Sequence, residues 1–362
     1  MPFIASVATF DPPHVITQEV AIAFAKEHFR SGFGDIARLI SIFRNTEIKK
    51  RHFAVALDWF LVPHSLQDRN DIYIKLATEF GIEAIRACLQ SQVFLKKEIP
   101  CSEIDAIFFV STTGMSTPSI EARIMNHLPF GSHTKRIPLW GLGCAGGIAG
   151  LARANDYCRA YPDAQVLVIN VELCSLTFQG TDLSKSNLVG ASLFADGVSC
   201  TLIAGDEAEV RDKMKLPLVP TIMAQQTTLM PNSETVMGWD VKDGGLFVVF
   251  SKDIPSIIRA WLRTNIEEFL QANSVALSDL KHFIAHPGGR KILEAYRDAL
   301  GISEEMTAVA HDVLRDHGNM SSPSVIYVLK EFMQKSVPRG EIGLLTALGP
   351  GFTSELMLVR WE

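Results

Sequence analysis

The sequence predicts an α/β layered fold built from two duplicated halves, and three observations lead there. First, short apolar, β-rich runs (Ile107–Val110, Val166–Ile169, Ile342–Leu345) alternate with amphipathic helical stretches (Ile148–Arg159, Ile257–Phe269). Second, the two halves close alike. The stretch 190–197 (GASLFADG) leads into Val198–Ile203, and 348–352 (LGPGF) leads into Leu356–Val359, each reading as a glycine-interrupted strand pair. Third, no low-complexity segment or Pro/Ser-rich linker divides the chain, so the halves are expected to share one compact body. A junction falls near residues 205–220, where charges and then Pro217 and Pro220 accumulate, giving halves of 1–210 and 211–362.

Composition narrows the function. With 362 residues, 47% of them hydrophobic, the chain has material for a sizeable core. A net charge of -6 and a pI near 6.0 disfavour a nucleic-acid partner, and an anionic ligand would need a local basic patch. The first residues, 1–7 (MPFIASV), lack a basic stretch followed by a long apolar one, and no apolar run approaches bilayer length. A soluble cytoplasmic protein without membrane insertion is expected. Cys88, Cys101, Cys144, Cys158, Cys174 and Cys200 form no Cys-x-x-Cys pair, which points to free thiols and to neither a zinc site nor a disulfide framework.

Taken in chain order, the chemistry begins at 140–150 (WGLGCAGGIAG), where an apolar segment gives way to a helical pattern. Glycines before Cys144 permit a sharp turn. Small residues after it leave the thiol uncrowded at a helix N-terminus, where unpaired N–H groups favour thiolate. Taken alone, the same residues fit a buried structural cysteine. Cys174, in 171–175 (VELCS), reads as a thiol buried at a strand end. Farther on, 283–289 (FIAHPGG) is an apolar strand ending at His286, followed by a helical pattern over Lys291–Leu300. His282 precedes His286 by four, a metal-ligand spacing on a helix, but the residues between them read as strand, so no metal is expected. Last comes 317–323 (HGNMSSP), a polar turn with Asn319 above a helix over Ser324–Phe332 that Ser321 or Ser322 would cap. Singly, His286 fits a core histidine and Asn319 a turn residue. His28, His52 and His133 lie in polar stretches and read as surface. Strand ends and helix N-termini of α/β sheets are where reacting groups gather, so Cys144, His286 and Asn319 are expected to converge.

At these motifs the chain resembles the type III polyketide synthases, the chalcone synthase-like condensing enzymes, and among them the bacterial alkylpyrone-forming members. The resemblance runs along essentially the whole chain. It places the nucleophile on Cys144, the histidine of His-Pro-Gly-Gly on His286, the asparagine of Gly-Asn-Met-Ser-Ser on Asn319, and a gatekeeper phenylalanine on Phe194. A glycine-rich scaffold loop matches Gly349, Pro350, Gly351 and Phe352, with Leu348 where plant members usually carry phenylalanine. It implies a thiolase-type α-β-α-β-α fold and a homodimer. It also implies an acyl group carried on a Cys144 thiolate, ion-paired with a His286 imidazolium. Malonyl-CoA would then be decarboxylated to an enolate held by Asn319 and His286. CoA thioesters are substrates, and no cofactor is expected.

Cations for the CoA phosphates are sought in Arg38, Arg44, Lys49, Lys50, Arg51 and Arg290, although Asn45 stands where the family would place a lysine. Thr112, Thr117, Thr177, Trp239 and Ser321 are expected to line the substrate pocket, with the Trp239 indole blocking part of the space an aromatic starter would use. A fatty acyl-CoA starter giving alkylpyrones or alkylresorcinols is the expected chemistry. The readings from other classes are a ketoacyl synthase III-like single condensation from acyl carrier protein, a cysteine hydrolase or thioesterase, and an inactive scaffold of the same fold.

Overall fold

The computed structural model describes residues 1–29 and 36–362, of 36–39 the backbone alone. Nine strands form one sheet in the order Leu280–Ala285, Ile342–Gly349, Thr353–Trp361, Pro220–Leu229, Phe3–Phe10, Asp196–Ala204, Gln165–Leu173, Ala106–Ser111 and Lys135–Trp140. The two halves repeat one topology. In each, the first strand (Phe3–Phe10 or Pro220–Leu229) lies antiparallel to the last (Asp196–Ala204 or Thr353–Trp361). That last strand pairs antiparallel with the one before it (Gln165–Leu173 or Ile342–Gly349), which runs parallel to an earlier strand (Ala106–Ser111 or Leu280–Ala285). The first half adds Lys135–Trp140 at its edge, and the half-sheets join where Phe3 meets Thr221.

Two equivalent helices lie between the half-sheets. Gly146–Ala160 packs on strands of the first half and on Pro220–Leu229, Ile342–Gly349 and Thr353–Trp361 of the second; Pro323–Met333 likewise touches both. Helix Leu66–Leu89 covers the outer face of the first half-sheet and Glu304–His317 that of the second, completing the α-β-α-β-α stack. Covering both faces explains the strand sequences. Gln165–Leu173 and Asp196–Ala204 are buried along their whole length, so they read as continuous apolar runs rather than alternating ones.

The expected strands and the helices at 148–159, 291–300 and 324–332 all form, within one or two residues at most ends. Two stretches differ. The helical pattern over Ile257–Phe269 contains a π-helical turn at Ile258–Leu262. Its buried row is Ile254, Ile258, Leu262, Ile266 and Leu270, four residues apart at every step. A straight α-helix would rotate that row about 40° per step, and the wider turn brings it back onto the core. The stretch 190–197 is not a strand pair: Lys185–Leu193 is a helix capped by the Ser184 hydroxyl, and the strand partner of Asp196–Ala204 comes earlier, at Gln165–Leu173. The glycine there serves packing, with Phe194 and Val248 close against Gly190.

The central helices meet at their N-termini. A Cβ on Gly147 would sit 2.4 Å from the Ser322 carbonyl oxygen and 2.8 Å from Val325 Cγ1. Gly147→Ala is therefore expected to cost about 2 kcal/mol by forcing the helices apart, although alanine favours the helix itself. A lowered urea midpoint at unchanged slope would show this; an unchanged midpoint would mean that the helices spread freely.

Candidate active site

Each of three groups is held at the end of a regular element by backbone bonding. Strand Ala106–Ser111 delivers Thr112, whose Oγ1 accepts from Gly143 N at 2.9 Å. Gly143 has φ +49°, a left-handed conformation, and Pro350 packs where a Cβ would lie. This turn runs through Cys144 into helix Gly146–Ala160. Strand Leu280–Ala285 delivers His286, whose backbone N–H donates to Thr346 O at 2.8 Å. Helix Glu304–His317 ends at Gly318 with φ +75°, and Asn319 follows. Its backbone is clamped to the Phe194 segment: Asn319 N donates to Leu193 O and Ala195 N to Asn319 O, both at 2.9 Å. The Asn319 amide is oriented too, with Nδ2 donating to Gly288 O at 3.1 Å and Oδ1 accepting from Ser321 N at 2.8 Å. The other Nδ2–H meets the Cys144 thiol.

Cys144, His286 and Asn319 line one cavity of about 560 Å³. Both imidazole nitrogens of His286 are buried without a hydrogen-bond partner among the described residues, leaving a donor and an acceptor for what binds there. Burial pushes the Cys144 thiol up to about 11, against hydrogen bonds from Ser321 and Asn319, and pushes His286 down to about 3. The expectation of a depressed thiol pKa is thus opposed by complete burial, which weighs on a single charge in the cavity. Proton transfer from thiol to imidazole creates two opposite charges together, and the helix N-terminus favours the thiolate.

Glu172, inside strand Gln165–Leu173, binds the site from behind. Its carboxylate accepts from Thr112 N at 3.0 Å, Thr113 Oγ1 at 2.9 Å and Ser322 Oγ at 3.1 Å, and burial raises it to about 7. Ser322 therefore spends its hydroxyl on Glu172 instead of capping helix Pro323–Met333. The charge inside the apolar run 165–173 was the available signal for this residue.

The other candidates separate into groups. Phe194 does not line the large cavity. Its ring faces a pocket of about 60 Å³ on the other side, with Thr177 and Trp239, and lies 5.8 Å from Trp239 and 5.6 Å from Phe250, which does line the large cavity. Thr112 supports the Cys144 turn and Thr117 is exposed; neither borders a cavity. Ser321 touches the thiol. Leu348 lines the cavity, whereas Gly349 backs Leu142 and Ala145, Pro350 backs Gly143, Gly351 accepts from Ser233 and Phe352 is buried near Trp261. The loop thus buttresses the turn that carries Cys144, and residues 349–352 do not border the cavity. Cys174 is buried in the small pocket, and His282 pairs with Glu341 at the far end of its strand.

The cations are redistributed. Arg51 is buried, not on the rim: Nη1 donates to Ala191 O at 2.6 Å and Phe194 O at 3.0 Å, and Asp196 offsets its charge. Arg44, Lys49 and Lys50 are exposed but do not border the cavity, and the side chain of Arg38 lies outside the described residues. Arg290 does border it, bonded to Asn45 O at 3.1 Å and Glu294 at 2.7 Å. Lys185, Lys252 and Lys291, missed because no motif joins them, complete a cationic rim. Among the described lining residues there is no carboxylate. The missed Tyr296 also lines the cavity, its buried hydroxyl without a partner among the described residues.

The chain matches the family models described as chalcone and stilbene synthases, N-terminal domain, over residues 11–207 and C-terminal domain over 221–361. It is 49% identical to a Bacillus subtilis (strain 168) protein named "Putative chalcone synthase", across 100% of this chain and 99% of that one. It is 32% identical to 1,3,6,8-tetrahydroxynaphthalene synthase of Streptomyces peucetius (99% and 93% covered). It is 29% identical to a Mycobacterium tuberculosis (strain H37Rv) polyketide synthase-like protein named for α-pyrone synthesis (98% and 90% covered). The crystal structure of 1,3,6,8-tetrahydroxynaphthalene synthase from Streptomyces coelicolor superimposes with a TM-score of 0.90 at 28% identity, covering 99% of both chains.

Two outcomes follow from this geometry. In His286→Ala no imidazole borders the cavity among the described residues, so Cys144 keeps the pKa burial imposes and roughly one thiol in ten thousand is ionised at pH 7. Alkylation by iodoacetamide should slow at least about tenfold at pH 7 and recover as pH rises; an unchanged rate would mean that His286 does not take the proton. Arg51→Met should cost about 3 to 5 kcal/mol in thermal unfolding, since it strands Asp196 and two carbonyls, whereas Arg44→Ala should be near neutral.

Proposed function

Since the chain belongs to the chalcone and stilbene synthase family, type III polyketide synthases that condense malonyl-CoA iteratively, we propose that it extends a medium- or long-chain fatty acyl starter to alkylpyrones or alkylresorcinols. The observation that carries the catalytic reading is the single cavity onto which Cys144, His286 and Asn319 all open under a rim of four cations. CoA phosphates suit that rim, with Arg290, Lys185, Lys252 and Lys291 as their contacts.

His286 accepts the Cys144 proton as sulfur attacks the acyl-CoA carbonyl, and CoA thiolate leaves, taking up a proton. Malonyl-CoA then enters and loses CO2. The enolate oxygen is held by the Asn319 Nδ2–H that meets the thiol in the unliganded site and by His286 Nε2–H, so no metal is required for this step. The enolate carbon attacks the thioester, the chain moves onto CoA and Cys144 is freed. Transfer back to sulfur allows the next round. After two or three extensions an enol oxygen closes on the thioester carbonyl to give a pyrone, or a carbon nucleophile closes an aldol ring.

The starter reading is supported by the small pocket behind Phe194, walled by Phe24, Phe29, Phe43, Phe53, Phe60 and Phe178, which offers an alkyl chain an apolar path. Trp239 narrows the same region, disfavouring a rigid aromatic starter, and the α-pyrone relative points the same way. A homodimer belongs to this proposal. The exposed Trp140 donates to Gly114 O at 3.1 Å, which sets its ring beside exposed Met115 as an apolar patch suited to a second copy. We place the enzyme in the cytoplasm; among the described residues no helix is long and apolar enough to cross a membrane.

The deciding assay incubates the protein with malonyl-CoA and a panel of acyl-CoA starters, with Cys144→Ala as control, and identifies products by mass spectrometry. Fatty starters should carry two or three extensions, lost in the control. Product from malonyl-CoA alone, or far better use of an aromatic starter, would overturn the starter assignment; a single addition requiring acyl carrier protein would overturn the polyketide reading. Asn319→Ala should slow malonyl-CoA decarboxylation about 100- to 1000-fold, consistent with loss of one enolate donor.

A further inference from the structure

Outside the cavity, three elements bring Asp11, His52 and His317 together. Asp11 follows strand Phe3–Phe10, His52 lies in strand Lys50–Phe53, and His317 ends helix Glu304–His317. One carboxylate oxygen and one nitrogen from each ring lie within 4.8 Å of one another. This departs from the sequence reading, which places His52 on the surface and expects no metal.

The hydrogen bonding assigns the protons. His52 Nδ1 is 3.0 Å from Pro12 O, and a carbonyl only accepts, so Nδ1 carries the hydrogen and Nε2 presents a lone pair. That Nε2 is buried and has no partner among the described residues. A buried acceptor left unpaired is costly, and a backbone carbonyl on the other nitrogen is the usual support of a metal-binding imidazole. Asp11 is supported likewise. Tyr327 Oη lies 3.0 Å from both Asp11 Oδ1 and Phe10 O, and His317 Nδ1 is 3.1 Å from Asp11 Oδ1.

We propose that Asp11, His52 and His317 form a transition-metal site, with Zn2+ as its first candidate. Two imidazoles and a carboxylate suit Zn2+, Co2+, Ni2+ or Cu2+ rather than Mg2+ or Ca2+, which prefer all-oxygen shells. Ligand bonds of roughly 2.0 to 2.2 Å place donors about 3.3 Å apart, so the side chains close by about 1.5 Å at most, and the exposed Asp11 leaves room for water in the remaining position. The ion is structural. None of its ligands borders the cavity, but His317 precedes Asn319 by two residues, and His52 adjoins Arg51, which bonds Phe194 O. It would brace from behind the two segments that carry Asn319 and Phe194.

The test uses Cys144→Ala protein, so that the cavity thiol cannot bind the probe, stripped with a chelator and exchanged into metal-free buffer. Titration with ZnCl2 alone in a calorimeter should show one ion per chain, and Zn2+ should raise the melting temperature. His52→Gln and His317→Gln, each in that background, should weaken binding at least about tenfold and abolish the melting shift. If either variant is misfolded by circular dichroism, Asp11→Asn, at an exposed position, takes its place and should show the same loss. No saturable binding by the parent, or equal affinity in the variants, would overturn the site.

Discussion

Two buried helices crossing at their N-termini constrain everything else in this molecule. Helix Gly146–Ala160 approaches helix Pro323–Met333 so closely that Gly147 faces the Ser322 carbonyl with no room for a side chain. Each helix sits between half-sheets, so neither can retreat without opening a core on one side. The residues just before them, Cys144 and Asn319, are equivalent positions of a repeated topology, and the crossing brings them to one cavity. The repeat explains why groups 175 positions apart in the chain line one cavity.

Burial sets the chemistry of that cavity. A thiol raised to about 11 and an imidazole lowered to about 3 are both neutral on their own, so a thiolate and an imidazolium would form only together, by proton transfer. Around them polar groups are spent on structure. Glu172 consumes the hydroxyls of Thr113 and Ser322, Arg51 holds the carbonyls of Ala191 and Phe194, and Asn319 satisfies Gly288 and Ser321. Among the buried polar atoms without partners in the described residues, both His286 nitrogens and the Tyr296 hydroxyl belong to residues that line the cavity. That contrast between a satisfied frame and unsatisfied lining is what preorganisation for an enolate requires.

Legibility in the sequence followed the range of the interaction. Strand runs at 107–110, 166–169 and 342–345 were readable because burial on both faces leaves a local composition signature. Cys144, His286 and Asn319 were readable because each sits in a turn whose glycines are dictated by local backbone geometry. The π-turn at Ile258–Leu262 was hidden because apolar residues four apart also belong to an ordinary amphipathic helix, and only their repetition at every step over 254–270 marks the wider turn. Arg51 was misjudged because a cation in a polar stretch looks solvated until the strand containing it is folded over Asp196 and Phe194. Thr112 and the loop 349–352 border the turn that carries Cys144, and no spacing in the chain separates a residue that lines a cavity from one that braces its neighbour.

By itself the sequence determined the layered α/β class, its duplication and the three residues, Cys144, His286 and Asn319, that line one cavity, since these rest on periodicity, turn chemistry and residue type, all local properties. Only the tertiary structure decided which cations reach the cavity, what Glu172 and Arg51 hold, how strongly burial neutralises Cys144 and His286, and that His52 meets Asp11 and His317. Those are properties of distance and solvent exclusion between segments remote in the chain, and such quantities come into being only when the half-sheets close over the two central helices.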